Sequence, residues 1–246
     1  MRACAIVPAY DAERMVGAVV RELAACWPAP DGGVDPGGSA IFVVDDGSRD
    51  GTAQAAREAG ARVLVHASNR GKGAALRTGM AAAASAGFDV AVSVDADGQH
   101  PALEARRLLE ADLDPEALLL GTRDLVRDGA PRANQISNGI SNFFLSLFSR
   151  RTLADTQCGL RRYPLPLSLA LGARDDGYAF EAEIILRALA SGIRLVEVPV
   201  RVIYPPEGER VTHFDSVRDP ARIVVRVVKT LALTAGPTRP RASLTT

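Results

Sequence analysis

The sequence predicts an α/β domain with a mostly parallel central sheet flanked by helices. Three observations predict it. Five short apolar runs, at residues 3–7, 41–44, 62–65, 90–94 and 117–120, alternate with stretches of helical periodicity. The runs are apolar at nearly every position, which suits strands buried on both faces, the condition of a parallel sheet covered by helices. Each run ends in polar or turn-forming residues, and ligands of open parallel sheets bind beyond the carboxyl ends of the strands.

The elements follow in order. The strand at 3–7 leads into a helix at 12–25, and the strand at 41–44 into a helix at 51–59. After the strand at 62–65 comes an alanine-rich helix at 73–86; after that at 90–94, a helix at 102–111. The Pro/Gly-rich stretch 27–40 reads as a surface loop, not a domain boundary. The second half predicts helices at 134–148, 180–190 and 219–233, and a strand at 194–202 interrupted by Pro199. No internal repeat is present. The expectation is one catalytic domain, 1–235, and a flexible tail, 236–246, rich in Pro, Thr and Arg.

Bulk properties narrow the function. At 246 residues and 47% hydrophobic content, the chain can bury a sizeable core. Its 29 basic residues balance its 29 acidic ones, so no global field recruits nucleic acid. Cys4, Cys26 and Cys158 fit no zinc or redox spacing. Cys4 and Cys26 fall in apolar stretches as small core residues, consistent with a reducing compartment. The first apolar run is too short for a signal-peptide core, and no stretch is long and apolar enough for a membrane span.

The chemistry gathers at the ends of the predicted strands. Asp95 and Asp97 follow the run 90–94; side chains two apart on extended chain project to one side. Two such anions repel unless a hard divalent cation, Mg²⁺ or Mn²⁺, sits between them and shares its oxygen ligands with a substrate diphosphate. The competing reading is a solvated acidic turn. Asp45, closing the run 41–44 with Asp46, is placed to accept hydrogen bonds from a ribose hydroxyl or a base N–H. Ser48 or Asp50 would cap the helix that begins near Gly51. Lys72, one of only two lysines, stands in the segment Asn69-Arg70-Gly71-Lys72-Gly73 ahead of a helix, where glycines and free N–H groups suit an anion, although the spacing is not that of a P-loop.

Together these segments resemble the family 2 glycosyltransferases with the GT-A nucleotide-diphospho-sugar transferase fold, above all the dolichyl/polyprenyl-phosphate mannose or glucose synthase branch. The strings that carry the resemblance are IVPAYDAE (6–13), VVDDGSRDGT (43–52), NRGKGAALRTG (69–79), VDADGQHP (94–101), GTR (121–123), DTQCGLR (155–161), FEAEI (180–184) and VEVPV (196–200). The resemblance implies that Pro8, Tyr10 and Glu13 line the base and ribose pocket, with Asp45, Lys72 and Asp95 also on the nucleotide sugar. It implies Asp97 and Gln99 as ligands of the diphosphate-bridging metal, and Arg123 as a phosphate contact. Asp155, Gln157 and Arg161 would shape the sugar and acceptor side, and Glu181 and Glu183 the inner wall. Two departures stand out. Asp11-Ala12 replaces the usual Asn-Glu, leaving only Glu13; and a Ser-Lys pair that often follows the VEVPV strand is absent, with Arg210, Thr212 and His213 in the corresponding stretch. Arg210 and His213 are the candidates there for acceptor phosphate. Within these 246 residues no stretch is expected to form the family's hydrophobic C-terminal membrane helices.

The expected reaction transfers a hexose, with inversion, from UDP- or GDP-sugar to a membrane lipid, a polyprenyl phosphate above all, by a protein peripheral on the cytoplasmic face of the membrane. A phosphate acceptor is already anionic. A hydroxyl acceptor on another lipid or a glycan would need a carboxylate base, for which Asp155 is the candidate. A sugar-nucleotidyltransferase would open with a Gly-rich loop that PAYDAER lacks, and the intact Asp95, Asp97 and Gln99 argue against a non-catalytic nucleotide-binding module. In the predicted helix 134–148, Ile136, Ile140, Phe143, Phe144, Leu147 and Phe148 share one broad face, followed by Arg150 and Arg151. That face packs either on the core or on a bilayer; the spacing serves both.

Overall fold

The computed structural model describes residues 1–27 and 39–204. One seven-stranded sheet organises them, with strand order β3-β2-β1-β4-β6-β5-β7. The strands are β1 (Ala3–Ala9), β2 (Ile41–Asp45), β3 (Arg62–Val65), β4 (Val90–Ser93), β5 (Leu118–Arg123), β6 (Arg161–Pro164) and β7 (Leu195–Val200). The helices are α1 (Glu13–Cys26), α2 (Thr52–Glu58), α3 (Lys72–Ser85), α4 (Ala102–Glu110), α5 (Arg132–Ser149), α6 (Leu165–Ala170) and α7 (Phe180–Ala190).

Alternation along each strand splits the core in two. Cys4, Ile6, Phe42, Ala91, Leu118 and Leu120 face the layer that holds Leu76, Met80, Phe180 and Ile184 of α3 and α7. Ala5, Val7, Val43, Val92 and Leu119 face the other layer, with Val16, Val20 and Leu23 of α1 and Ala105 and Leu108 of α4. Both faces are therefore dry, which explains why the strands read as unbroken apolar runs. Cys4 is fully buried in the first cluster, and Cys26 packs partly buried against the second.

Most pairings are parallel: β1 with β2 and β4, β2 with β3, and β5 with β7. Strand β6 is the exception, antiparallel to both β4 and β5. Neither β6 nor α6 is anticipated by the sequence pattern. The reason is that β6 opens with two arginines, Arg161 and Arg162, both fully buried. Their guanidinium groups bond main-chain carbonyls: Arg162 donates through Nη1 and Nη2 to Leu109 O at 3.0 Å and also to Asp112 O and Asp114 O, while its buried Nε has no hydrogen-bond partner among the described residues. Strand β7 tolerates Pro199 because it lies at the sheet edge. The expected helix at 219–233 and the tail at 236–246 lie outside the described residues, as does most of the expected loop at 27–40.

Because β6 reverses direction twice over, β1, β2, β4 and β5 all run the same way. Their carboxyl ends, and the side chains that follow them, share one edge of the sheet.

Candidate active site

Lys72, the first residue of α3, bridges two elements at this edge. Its Nζ lies 2.7 Å from Asp95 Oδ1 and 3.3 Å from Glu181 Oε1 on α7. Burial by itself would lower the lysine's pKa; the two carboxylates reverse that and hold it above its ordinary value. Burial likewise penalises the Asp95 carboxylate, but its neighbours, Lys72 foremost and Arg123 among the others, together outweigh this and hold its carboxyl below the ordinary value. Two glycines make the arrangement possible. Gly71 has φ +100° and packs so tightly on the Asp176 carbonyl that a Cβ would overlap it; a Cβ on Gly159 would overlap the Asp95 carboxylate.

Asp97 has no such cation. Its Oδ1 accepts the Gln99 N–H at 3.0 Å, while burial, and then the charge of Asp95, push its carboxyl up to about 6. An anion raised in this way is a place where a cation gains. Among the described residues, no group of three or more His, Cys, Asp and Glu side chains is close enough to hold a metal unaided. The all-oxygen pair Asp97 and Gln99 fits a hard cation that keeps water and substrate phosphate as its remaining ligands. Beside them His100 is buried, its Nε2 3.7 Å from Cys158 Sγ. Burial lowers the His100 pKa to about 4 and raises the Cys158 thiol to about 12, so both are neutral.

Arg123, the last residue of β5, is held by Asp155. The guanidinium is bidentate, Nε to Oδ2 at 2.7 Å and Nη2 to Oδ1 at 3.0 Å, and the Arg123 N–H adds a bond at 3.1 Å. The amides of Gln157 and Cys158 also donate to Asp155 Oδ1. Both oxygens of this buried carboxylate are thus committed, and Asp155 serves to hold Arg123 rather than to accept a proton from substrate. Nη1 of Arg123 remains near Tyr204 Oη, at 3.4 Å.

Two further expectations need correction. Arg161 does not face an acceptor: it is fully buried, and its guanidinium donates to Cys158 O, Glu181 O and Thr156 O at 2.9, 2.6 and 2.7 Å. Glu183 does not line an open wall; it accepts the Arg174 and Asp175 amides and pairs with Arg187 at 2.8 Å, anchoring the segment that meets Gly71. Gln157 turns its amide towards α5, 3.0 Å from Ser137 Oγ.

On the nucleotide side, Pro8 is the penultimate residue of β1 and pairs in register with Val44, one residue before Asp45 at the end of β2. Asp45 is buried and accepts the Ser48 amide at 2.9 Å. Tyr10 is half-buried and Glu13 begins α1. The loops after β1 and β2 clasp each other: the Asp11 amide donates to Ser48 Oγ and the Arg49 amide to Asp11 Oδ1, each at 2.9 Å. Ser48 is therefore spent on this clasp; Asp50 accepts the Thr52 amide at 3.0 Å. Asp46 has a role that the sequence pattern does not assign to it. Its carboxylate takes His66 Nδ1 at 2.6 Å and the Arg70 and Gly71 amides at 3.0 and 2.6 Å, fixing the segment that delivers Lys72. The adjacent acidic pair was the available signal. Arg210 and His213 lie outside the described residues.

The profile of the family described as "Glycosyl transferase family 2" matches residues 4–163. The chain belongs to the family 2 glycosyltransferases. Among its relatives, an undecaprenyl-phosphate mannosyltransferase of Micrococcus luteus is 27% identical over 220 residues, covering 85% of this chain and 86% of that one. A polyprenol monophosphomannose synthase of Mycolicibacterium smegmatis is 33% identical over 177 residues, 65% of each chain. Among solved structures, glucosyl-3-phosphoglycerate synthase from Mycobacterium tuberculosis, in complex with Mg²⁺ and UDP, superposes with a TM-score of 0.69 at 21% identity, over 97% of this chain and 80% of that one. The fold is accordingly the GT-A fold that the sequence predicts.

In this glycosyltransferase, α5 is turned inside out. Ser137, Asn138, Ser141 and Leu145 are buried, whereas Ile136, Ile140, Phe143 and Leu147 are 65%, 42%, 63% and 58% exposed. Of the two readings open to the sequence, the core-facing one is set aside. No helix among the described residues is long and apolar enough to cross a membrane.

Proposed function

We propose that the chain transfers a hexose, with inversion, from UDP- or GDP-sugar to a polyprenyl phosphate, working as a peripheral protein on the cytoplasmic face of a membrane. The observation that carries this reading is the commitment of Asp155. A hydroxyl acceptor needs a base within reach of its proton, and the acidic candidate on the acceptor side has both oxygens tied to Arg123 and to main-chain amides. A phosphate acceptor needs none, because its oxygen arrives ionised. Arg123, presented at the strand tip by Asp155, supplies charge to receive it. The relatives named for transfer to undecaprenyl phosphate and polyprenol phosphate support the same acceptor class.

The donor's base and ribose lie against Pro8, Tyr10, Glu13 and Asp45, and Lys72 keeps Asp95 ionised to accept hydrogen bonds from the nucleoside. Asp97 and Gln99 would hold Mg²⁺ or Mn²⁺; the UDP and Mg²⁺ complex of the solved neighbour supports this assignment. When bound, the metal supplies positive charge to the departing diphosphate. Buried and neutral, His100 and Cys158 add no charge beside the Asp95 and Arg123 pairs.

Purified chain is incubated with Mg²⁺ or Mn²⁺ and a panel of UDP- and GDP-hexoses, with and without polyprenyl phosphate. Release of nucleoside diphosphate that requires the lipid phosphate is the expected result. Release that instead requires a lipid or glycan hydroxyl would overturn the acceptor assignment, and pyrophosphate formed from a sugar phosphate would overturn the transfer reaction itself.

A further inference from the structure

We propose that the Tyr204 hydroxyl and Arg123 Nη1 form a two-donor seat for one oxygen of a phosphate monoester, which makes Tyr204 a contact residue for the acceptor. That the monoester is the acceptor rests on the functional reading above; the seat itself stands on the geometry of the two side chains.

Arg123 has more donors than Asp155 takes. Asp155 engages Nε at 2.7 Å and Nη2 at 3.0 Å, which leaves both N–H groups of Nη1 outside the pair. Tyr204 Oη meets Nη1 at 3.4 Å, beyond the usual length of such a bond. The arginine is already fixed by Asp155, so a contact this long adds little to holding it. The hydroxyl's own proton finds no acceptor among the described residues. Burial raises the phenol above its ordinary value against the opposing charge of Arg123, so it keeps that proton at neutral pH. Asp155 also balances the charge of the guanidinium. An anion arriving here gains by hydrogen bonds rather than by unopposed charge, and a second donor beside Nη1 therefore counts.

The place of Tyr204 is set by what precedes it. Val200 and Val202 are buried, and the Ile203 amide donates to the Gln99 carbonyl at 2.9 Å. Gln99 belongs to the turn after β4 that carries Asp95 and Asp97. One main-chain bond thus ties the chain beyond β7 to the acidic turn, and the next residue, Tyr204, reaches Arg123 at the end of β5. An oxygen seated on Tyr204 and Arg123 is thereby held at a fixed place relative to the residues proposed for the donor. The hydroxyl is the feature that distinguishes this seat from a lone arginine: it supplies a directed donor without adding charge.

The full chain, as wild type and as Tyr204→Phe, is titrated with a short-chain isoprenyl phosphate and separately with inorganic phosphate, with UDP or GDP and Mg²⁺ present, and uptake is followed by phosphorus NMR. Phenylalanine keeps the ring and removes only the hydroxyl, so melting temperature and nucleotide affinity are expected to stay at wild-type values. The dissociation constant for either phosphate is expected to rise about tenfold, the loss of one hydrogen bond to a charged group. In turnover, acceptor KM should rise by the same factor while kcat and donor KM hold. Equal phosphate uptake by the two proteins overturns the seat, and so does a wild type that takes up neither phosphate. Nucleotide affinity that falls as far as phosphate affinity moves Tyr204 to the donor side and also overturns it. Uptake weakened in Tyr204→Phe, with no release of nucleoside diphosphate by wild type in the presence of lipid phosphate, upholds the seat and overturns the acceptor reading alone.

Discussion

Lys72 Nζ stands 2.7 Å from Asp95 Oδ1, joining the first turn of α3 to the residues after β4. One short contact thus decides which of two neighbouring carboxylates is neutralised from within the protein. Asp95 has its cation built in; Asp97, two residues on, has none, and the proposed divalent cation would fall to it.

Lys72→Met should show how much of the edge depends on that contact. Removing one partner of a buried pair leaves the other charged and unpaired, at a cost of about 3 kcal/mol, and here two carboxylates, Asp95 and Glu181, lose their partner together. Urea unfolding of the variant is expected to reveal a loss of about that size, accompanied by weaker binding of nucleotide. Unchanged stability would mean that the pair is not formed in solution.

Gly159→Ala tests the close approach of β6's leading segment to Asp95. The added methyl overlaps the Asp95 carboxylate, so the carboxylate must turn away from the nucleoside. Donor KM is expected to rise at least tenfold while the variant remains folded by circular dichroism. A wild-type KM would separate Asp95 from donor binding.

Asp155→Asn and Arg123→Lys probe the acceptor side. An asparagine cannot accept the paired N–H donors of the guanidinium on two oxygens, and a lysine cannot supply the fork. Each should lower kcat with polyprenyl phosphate by one to two orders of magnitude and leave donor binding alone. Because both Asp155 oxygens are engaged by Arg123 and main-chain amides, the acidic limb of the pH–rate profile should keep its midpoint in Asp155→Asn. Disappearance of that limb would restore Asp155 as a base.

Alkaline stability should report on Tyr163. Burial pushes this phenol up to about 12 from an ordinary value of 10.0. Above pH 10 the unfolded chain loses the proton and the folded chain retains it, so stability falls as pH rises through that window, by up to about 3 kcal/mol. In Tyr163→Phe the fall should be shallower. Parallel curves for the two proteins would contradict a buried phenol.

How much of this was legible in the sequence depends on what each residue does. Strands β1 to β5 announce themselves because dry faces demand unbroken apolar runs, and Asp45, Asp95 and Asp97 follow from where those runs stop. Strand β6 is hidden because Arg161 and Arg162 donate to carbonyls as far along the chain as Glu181 and Leu109, which no local pattern records. For the same reason Arg161 resembled a ligand contact while serving as a strut. Periodicity gave α5 a face without a direction; the direction came from Asn142 and Ser141 meeting Thr156, contacts 14 and 15 residues apart in the chain. Asp46, adjacent to Asp45, was masked by its neighbour, and its role depends on His66 and the Gly71 amide arriving from elsewhere.

Cation binding at the strand tips is tested most directly by titrating Mn²⁺ into the protein in the presence of UDP or GDP, following free Mn²⁺ by electron paramagnetic resonance, for wild type and Asp97→Ala side by side. The expected result is tight Mn²⁺ uptake by wild type that depends on the nucleotide, and loss of that uptake in Asp97→Ala with the fold intact. Equal uptake by both proteins, or none by wild type with either nucleotide, would contradict it.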